Sequence, residues 1–379
     1  MLPRRKIFQE EHQIFRESVR RFFAKEMLPN LKSWDEAGIV DRDFWEKAGA
    51  AGLLCPDIPE EYGGPGGDFR YNAVVDEEMG YAGTAAPGFA VHSDICARYI
   101  LEYGSEDLKK EWLPRMVSGE IISAIAMTEP GTGSDLQAVK ATAIRDGNHY
   151  VLNGQKTFIT NGQNADLIIV VAKTNPEEGA HGVSLILVES NREGFTRGRN
   201  LKKIGQKGSD TSELFFSDVR VPLTNCLGEE NQGFVYLMQQ LPQERLAIAI
   251  GAVASSQKAF DITVDYVKER KAFGRPIFGF QNTRFKLAEM RAELAVGWAY
   301  VDQCLEQHLE KKLDVEGAAI AKLWLTEMQG RIVDQCLQLH GGYGYMEEYP
   351  ISKMFVDARV QRIYGGTSEI MKELISKFI

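Results

Sequence analysis

The chain has 379 residues, enough for two or three domains, with 44% hydrophobic and 26% charged residues, the composition of an ordinary globular protein. A net charge of -9 argues against nucleic acid as the main partner, because a phosphate backbone needs a basic surface. No run of about 20 apolar residues is present to span a membrane.

Up to about residue 122 the pattern is helical. Phe8, Phe15, Val19, Phe22, Phe23 and Met27 recur at helical spacing, with a stop expected near Pro29 and Asn30. Asp43-Phe44-Trp45 opens a second helix that leads to a turn at Cys55-Pro56. The glycine- and proline-dense run 61–67 is a loop. Helix follows around Tyr71 to Tyr81, then the small-residue segment Thr84-Ala85-Ala86-Pro87-Gly88, then helix into Tyr103 and from Asp107 to Met116.

From 123 to 228 the period shortens, with Val, Ile, Thr and Phe in short runs. Asp146-Gly147, Asn153-Gly154 and Asn161-Gly162 lie between the runs, each a hairpin signal. The spacing predicts a compact antiparallel β domain. From 229 to 379 helix returns, in long segments near 233–269, 281–308 and 314–340 whose lengths suit a four-helix bundle. Turns are expected at Phe273-Gly274-Arg275-Pro276 and Gly341-Gly342-Tyr343-Gly344. A last helix starts after Gly365-Gly366 with Thr367 or Ser368 as N-cap. The fold class is therefore α+β: an N-terminal all-α domain (1–122), a middle antiparallel β domain (123–228) and a C-terminal helical bundle (229–379).

Leu237, Leu241, Glu244, Ile248 and Gly251 step by four, three, four and three, so they share one helical face. Every other member of the row is apolar or small. A carboxylate desolvated there has a raised pKa and is a candidate general base. An acid at a helix surface, or one paired with an arginine, gives the same pattern. The pattern lacks a Rossmann fingerprint, and Gly131-Thr132-Gly133-Ser134 lacks the lysine of a P-loop. The loop from Ala126 to Asp135 offers hydroxyls and backbone N–H groups, and Phe158-Ile159-Thr160-Asn161-Gly162 offers an aromatic face beside a hydroxyl. Each also reads as an ordinary turn. Six histidines fall in no metal-ligand spacing, so no metal is expected. Five scattered cysteines fit reduced thiols, and the basic start Met1 to Lys6 runs into charged residues without an apolar signal core. Both point to the cytoplasm.

The runs Met127 to Asp135, Phe158 to Gly162, Glu269-Arg270-Lys271-Ala272-Phe273-Gly274, Gln338-Leu339-His340-Gly341-Gly342 and Tyr364 to Ile370 together resemble the acyl-CoA dehydrogenase family, in that family's order and over essentially the whole chain. Within it the stretch Leu241-Pro242-Gln243-Glu244-Arg245-Leu246 and the end from Ile363 to Ile375 are most similar to the long-chain type.

The resemblance implies FAD as cofactor. It places Ile125, Met127, Thr128 and Ser134 along the flavin, with Phe158 and Thr160 flanking the ring. Arg270, Phe273, Gln281, Gln338, Gly341 and Gly342 would contact the adenosine diphosphate half, reaching there from a neighbouring subunit. Thr367 and Ser368 would close over the cofactor. An arginine suits a pyrophosphate, and paired glycines and a helix N-terminus let backbone donors approach it, although Arg270 within Lys268 to Lys271 also fits a solvated charge. Many members carry the base as a glutamate where Gly365 stands here. In a subset, including the long-chain and isovaleryl types, it sits on the long helix, at the position of Glu244.

The implied reaction is α,β-dehydrogenation of a saturated acyl-CoA to the trans-2-enoyl-CoA, a step of β-oxidation. Glu244 would take the α-proton, and the Gly365 N–H would face the thioester oxygen. Ser134, Leu241, Arg245, Tyr364, Gly366, Pro87 and Gly88 would contact the substrate, the last two at the end of its tunnel. Arg245 reads equally as a partner of CoA, of a loop carboxylate or of a surface acid. Pro242 would kink the base-bearing helix. The implied partners are an electron-transferring flavoprotein and three further copies in a homotetramer, a dimer of dimers. An isovaleryl-type dehydrogenase, a flavin oxidase or monooxygenase on the same fold, and a non-catalytic binder are the competing expectations.

Overall fold

The computed structural model describes residues 4–84 and 86–379. Ala85 of the small-residue segment, and Met1, Leu2 and Pro3 of the basic start, lie outside the described residues. Helix α1 (Glu10–Phe22) does not stop at Pro29. It passes through a π turn (Phe23–Met27) and a 3-10 turn (Leu28–Asn30) into α2 (Leu31–Ala37), because Pro29 sits in the first turn of the new piece, where its missing N–H has no partner to lose. Helices α3 (Arg42–Ala50), α4 (Phe69–Ala82), α5 (Ala97–Tyr103) and α6 (Glu106–Val117) complete the N-terminal part. A π-helical turn, Val91–Cys96, leads directly into α5. Arg16 and Arg20 of α1 donate to Glu78 of α4 at 3.1 and 2.8 Å, which fastens the first helix down.

The middle part is one seven-stranded sheet: β1 (Ser123–Ala126), β2 (Thr142–Asp146), β3 (His149–Thr160), β4 (Leu167–Lys173), β5 (Val183–Glu189), β6 (Phe195–Asn200) and β7 (Thr211–Pro222). Four pairings are antiparallel, but β4 runs parallel to β1 and, at its own end, to the first residue of β2. The parallel pairing arises because the chain leaves β1, builds the β2–β3 hairpin, and returns to β1 only with β4. Asp146-Gly147 forms that hairpin turn, as expected. Asn153-Gly154 does not turn the chain. It is a bulge inside β3, and a Cβ on Gly154, at φ +153°, would stand 2.6 Å from the Cβ of Ala141. Strands β4 and β5 read as unbroken apolar runs because both faces are buried. Leu167, Ile169 and Val171 face the helical core, while Ile168 and Val170 join Tyr150, Leu152 and Phe216 on the other side.

The C-terminal part holds α7 (Gly233–Glu269), α8 (Gln281–Leu309) and α9 (Val315–His340), with α10 (Pro350–Ala358) and α11 (Ser368–Ser376) packed on α9. The predicted turn at Phe273-Gly274 is a two-strand hairpin, β8 (Lys271–Ala272) with β9 (Arg275–Pro276). Helix α7 touches α4, α8 and α9, so it is the shared axis of both helical parts. It stays continuous through Pro242. Its crossing with α4 is close: a Cβ on Gly80 would lie 2.6 Å from the carbonyl oxygen of Gly251. Thr367 caps α11, accepting from the N–H of Ile370 at 3.3 Å. No described helix is long and apolar enough to cross a membrane.

Candidate active site

Glu244 lies where the apolar row places it. It is 5% exposed, on the face of α7 that carries fully buried Leu237 and nearly buried Leu241. Its Oε1 accepts a hydrogen bond of 2.9 Å from the hydroxyl of Tyr99 on α5. Burial raises the Glu244 carboxyl to about 7, against the opposing pulls of the Tyr99 hydrogen bond and the Arg245 charge. A carboxylate so placed is half ionised near neutral pH, which suits a general base. The neighbouring Gln243 donates to the carbonyl of Asp94 at 2.7 Å, which ties this turn of α7 to the π-helical turn.

Arg245 is buried, so the surface ion pair is ruled out, and it reaches no loop carboxylate among the described residues. Its Nε donates to the carbonyl of Gly365 at 3.3 Å. Lys322 of α9, fully buried, donates to the next carbonyl, Gly366, at 2.6 Å. Burial, with the Arg245 charge adding to it, lowers the Lys322 ammonium to about 8. Two cations thus hold successive peptides of the loop before α11. Gly365 has φ +63°, a conformation that favours glycine, and a Cβ there would collide with Cδ1 of Ile248, one turn beyond Glu244. Ser368 and Arg362 both bind Glu327, at 2.6 and 3.2 Å, on the far side of that loop. Tyr364 is partly exposed and its hydroxyl donates to Gln361 at 2.8 Å.

A second group lies where β1 leaves the helical part. The buried Lys156 of β3 donates to the carboxylate of Glu129 at 2.9 Å and to the carbonyl of Met127 at 3.0 Å. Glu129 also accepts the N–H groups of Lys140 and Ala141. This buried pair clamps both ends of the loop 127–141 onto β3. Thr157 N–H donates to the carbonyl of Thr128 at 2.9 Å, and the β3–β7 register shifts between Lys156 and Ile159. The irregularity throws Phe158 outward, 67% exposed at φ +60°, beside Thr160. A non-glycine residue held in a left-handed conformation is a costly arrangement of the kind that clusters at active sites and ligand clamps. Ile125 and Met127 are half-buried and Ser134 is exposed. Nothing lies within 4 Å of a Cβ built on Gly131 or Gly133, so that backbone faces open space. Gly88 meets the same strand end: a Cβ would collide with Asn161 Oδ1, whose Nδ2 donates to the Gly88 carbonyl at 3.1 Å. That contact accounts for the small residue there.

The third group is a groove of about 490 Å³ lined by Arg270, Gln338, Gly341, Gly342, Tyr343 and the residues between. The Arg270 guanidinium is exposed, as a solvated charge would be, and lies 5.3 Å from the ring centre of Tyr343, within cation–π reach. Phe273, 95% exposed, and Gln281 do not line the groove and project outward. Glu244 lies on α7 and Arg270 directly follows the last residue of that helix, 26 residues on, about 39 Å at 1.5 Å per residue. The base and the groove of one protomer are therefore too far apart for one dinucleotide to bridge.

Tyr99, Lys322, Lys156 and Glu129 were not anticipated. Lys322 carries the same signal as Glu244, a charge in a row of Ala318, Ala319, Leu325 and Thr326. Tyr99 carries none, because its partner is 145 residues away. The first two groups fit a flavin: an exposed ring at a strand end, open glycine backbone, and hydroxyls. The groove offers a pyrophosphate the Arg270 guanidinium and the backbone of Gly341 and Gly342, but at the C-terminal end of α9, whose dipole favours cations, so no helix N-terminus serves it there. The described residues contain no cluster able to hold a metal ion.

The chain matches the family models for the acyl-CoA dehydrogenase N-terminal domain over residues 9–120, the middle domain over 124–219 and the C-terminal domain over 231–379. It is 54% identical over 377 residues to the mitochondrial long-chain specific acyl-CoA dehydrogenase of Sus scrofa, covering 99% of this chain and 88% of that protein. It superposes on an acyl-CoA dehydrogenase from Geobacillus kaustophilus with TM-score 0.97 at 48% identity, covering 98% and 99% of the two chains. A glutaryl-CoA dehydrogenase from Mycobacterium smegmatis, solved in complex with FADH2, matches with TM-score 0.91 at 28% identity, covering 98% of this chain and 95% of that one.

Proposed function

The chain belongs to the acyl-CoA dehydrogenase family of FAD-dependent oxidoreductases, and on that premise we propose that it dehydrogenates medium- to long-chain saturated acyl-CoA thioesters in β-oxidation, with Glu244 as the base. Bound FAD supplies the acceptor for the hydride that leaves Cβ. Glu244 takes the proton from Cα, and a carboxyl raised to about 7 by burial is matched to that task at neutral pH. The Gly365 N–H, for which no acceptor is found among the described residues, is the donor to the thioester oxygen as charge develops there. Arg245 and Lys322 keep that loop in place through the carbonyls of Gly365 and Gly366. Ile125, Met127, Thr128, Ser134, Phe158, Thr160, Thr367 and Ser368 hold the flavin end. Arg270, Phe273, Gln281, Gln338, Gly341 and Gly342 serve a neighbouring copy. Leu241, Tyr364, Pro87 and Gly88 line the acyl side, and electrons leave to an electron-transferring flavoprotein. The preference for long chains is supported by the identity to the long-chain specific relative, and the scattered free cysteines fit a reducing compartment.

The observation that carries the reading is the buried Glu244 joined, through its neighbour Arg245, to the loop of Gly365. Glu244→Gln keeps the shape and should still bind acyl-CoA and perturb the flavin spectrum. Stopped-flow bleaching of the flavin should fall by about 10²–10⁴-fold. Near-wild-type bleaching would overturn the assignment. A panel of butyryl-, isovaleryl-, octanoyl- and palmitoyl-CoA should give the highest kcat/KM with the longer straight chains, and a maximum at isovaleryl-CoA would overturn the substrate class.

A further inference from the structure

We propose that Tyr99 is a positioning residue for this reaction: its phenol fixes Oε1 of Glu244, so that Oε2 is the oxygen that takes the α-proton. The inference rests on Glu244 being the base. Tyr99 is completely buried, and its 2.9 Å hydrogen bond is the one that reaches the Glu244 carboxylate among the described residues. Oε2 accepts none there, and the residue as a whole keeps 5% of its surface exposed.

Tyr99 is itself held in register. Tyr103, one turn later on α5, accepts from Gln240 at 3.0 Å and donates to Gln239 at 2.9 Å, and its ring lies 6.0 Å from that of Tyr99. Gln243 binds the Asp94 carbonyl just before α5. Four successive polar contacts therefore sew α5 and its leading turn to α7, and the Tyr99–Glu244 bond is the one that ends on a reacting group. A carboxylate free to rotate would present either oxygen; one anchored at Oε1 presents the other in a single orientation.

The other groups facing Glu244 are Cys96 from the turn before α5 and Arg245 beside it on α7, and Lys322 of α9 acts on Arg245 and not on Glu244 directly. A hydrogen bond donated to the charged form lowers a carboxyl's pKa, so removing it raises the pKa further. Tyr99→Phe should move the midpoint of the pH profile of flavin reduction upward by about one unit. Rate should be lost at pH 7 and regained at high pH, with KM for acyl-CoA little changed. In the substrate-free holoenzyme, infrared titration of the Glu244 carboxylic C=O band should shift in the same sense. Replacing Tyr99 by 3,5-difluorotyrosine, nearly the same shape with a more acidic phenol, should shift both midpoints downward. Midpoints that superpose on the wild type in both variants, or that move in the opposite sense, would overturn the role of Tyr99. If instead Glu244→Gln reduces flavin normally, it is the base assignment that fails.

Discussion

Ile248 fills the space beside Gly365, and this changes what a relocated base would need. A glutamate at 365 must adopt φ near +63°, which costs a residue with a Cβ about 1–2 kcal/mol, and it must also displace the Ile248 side chain. The double change Glu244→Gly with Gly365→Glu should therefore remain slow. Adding Ile248→Ala opens the space and should recover part of the flavin reduction, read by stopped flow in the order double variant, then triple variant, then wild type. A double variant as fast as the triple would show that Ile248 is no obstacle. At this scale the sequence was legible where a charge broke an apolar row, as at Glu244 and, unused, at Lys322. It was silent on Tyr99 and on the Glu129–Lys156 clamp, whose meaning lies in contacts between distant segments. Arg245 was open to three readings because its acceptor is a backbone carbonyl, and sequence patterns carry no mark of those.

The crossing of α4 and α7 is set by Gly80. Gly80 brings α4 so near that an added methyl would stand 2.6 Å from the Gly251 carbonyl and 3.0 Å from the Cβ of Ala254. Gly80→Ala should destabilise the protein by about 1–3 kcal/mol, the usual cost of overpacking a tight contact. A urea or thermal midpoint measures it, and an unchanged midpoint would show that the helices can part freely. Gly251, in the same row as Glu244, meets α4 through its backbone, and a Cβ there would find nothing within 4 Å. The long helices were readable because period and breakers agreed: α7 at 233–269 and α9 at 315–340 lie where the pattern put them. The sheet was less so. Asn153-Gly154 has the composition of a hairpin turn, yet it serves as a bulge because Ala141 leaves no room for a side chain. The parallel pairing of β1 with β4 spans 44 residues, and nothing local encodes it.

The whole molecule is arranged about α7, with one core shared by both helical parts and one face of the sheet, and a second core on the sheet's other face. Phe273, Phe278, Phe285, Trp324 and Tyr345 stand exposed on the C-terminal part, an apolar display that suits contact with another copy. We expect light scattering of the FAD-loaded protein to give a homotetramer, and a monomer that keeps its flavin would contradict shared sites. Helix α7 is a single rod of 37 residues. If the rod carries Glu244 into one site and Arg270 into the next, a copy bearing Glu244→Gln and a copy bearing Arg270→Ala are defective in different halves of every site. Co-expressed, the two should complement each other. Random pairing would leave about a quarter of all sites with both residues intact, and activity should reappear in the mixture that neither variant shows alone.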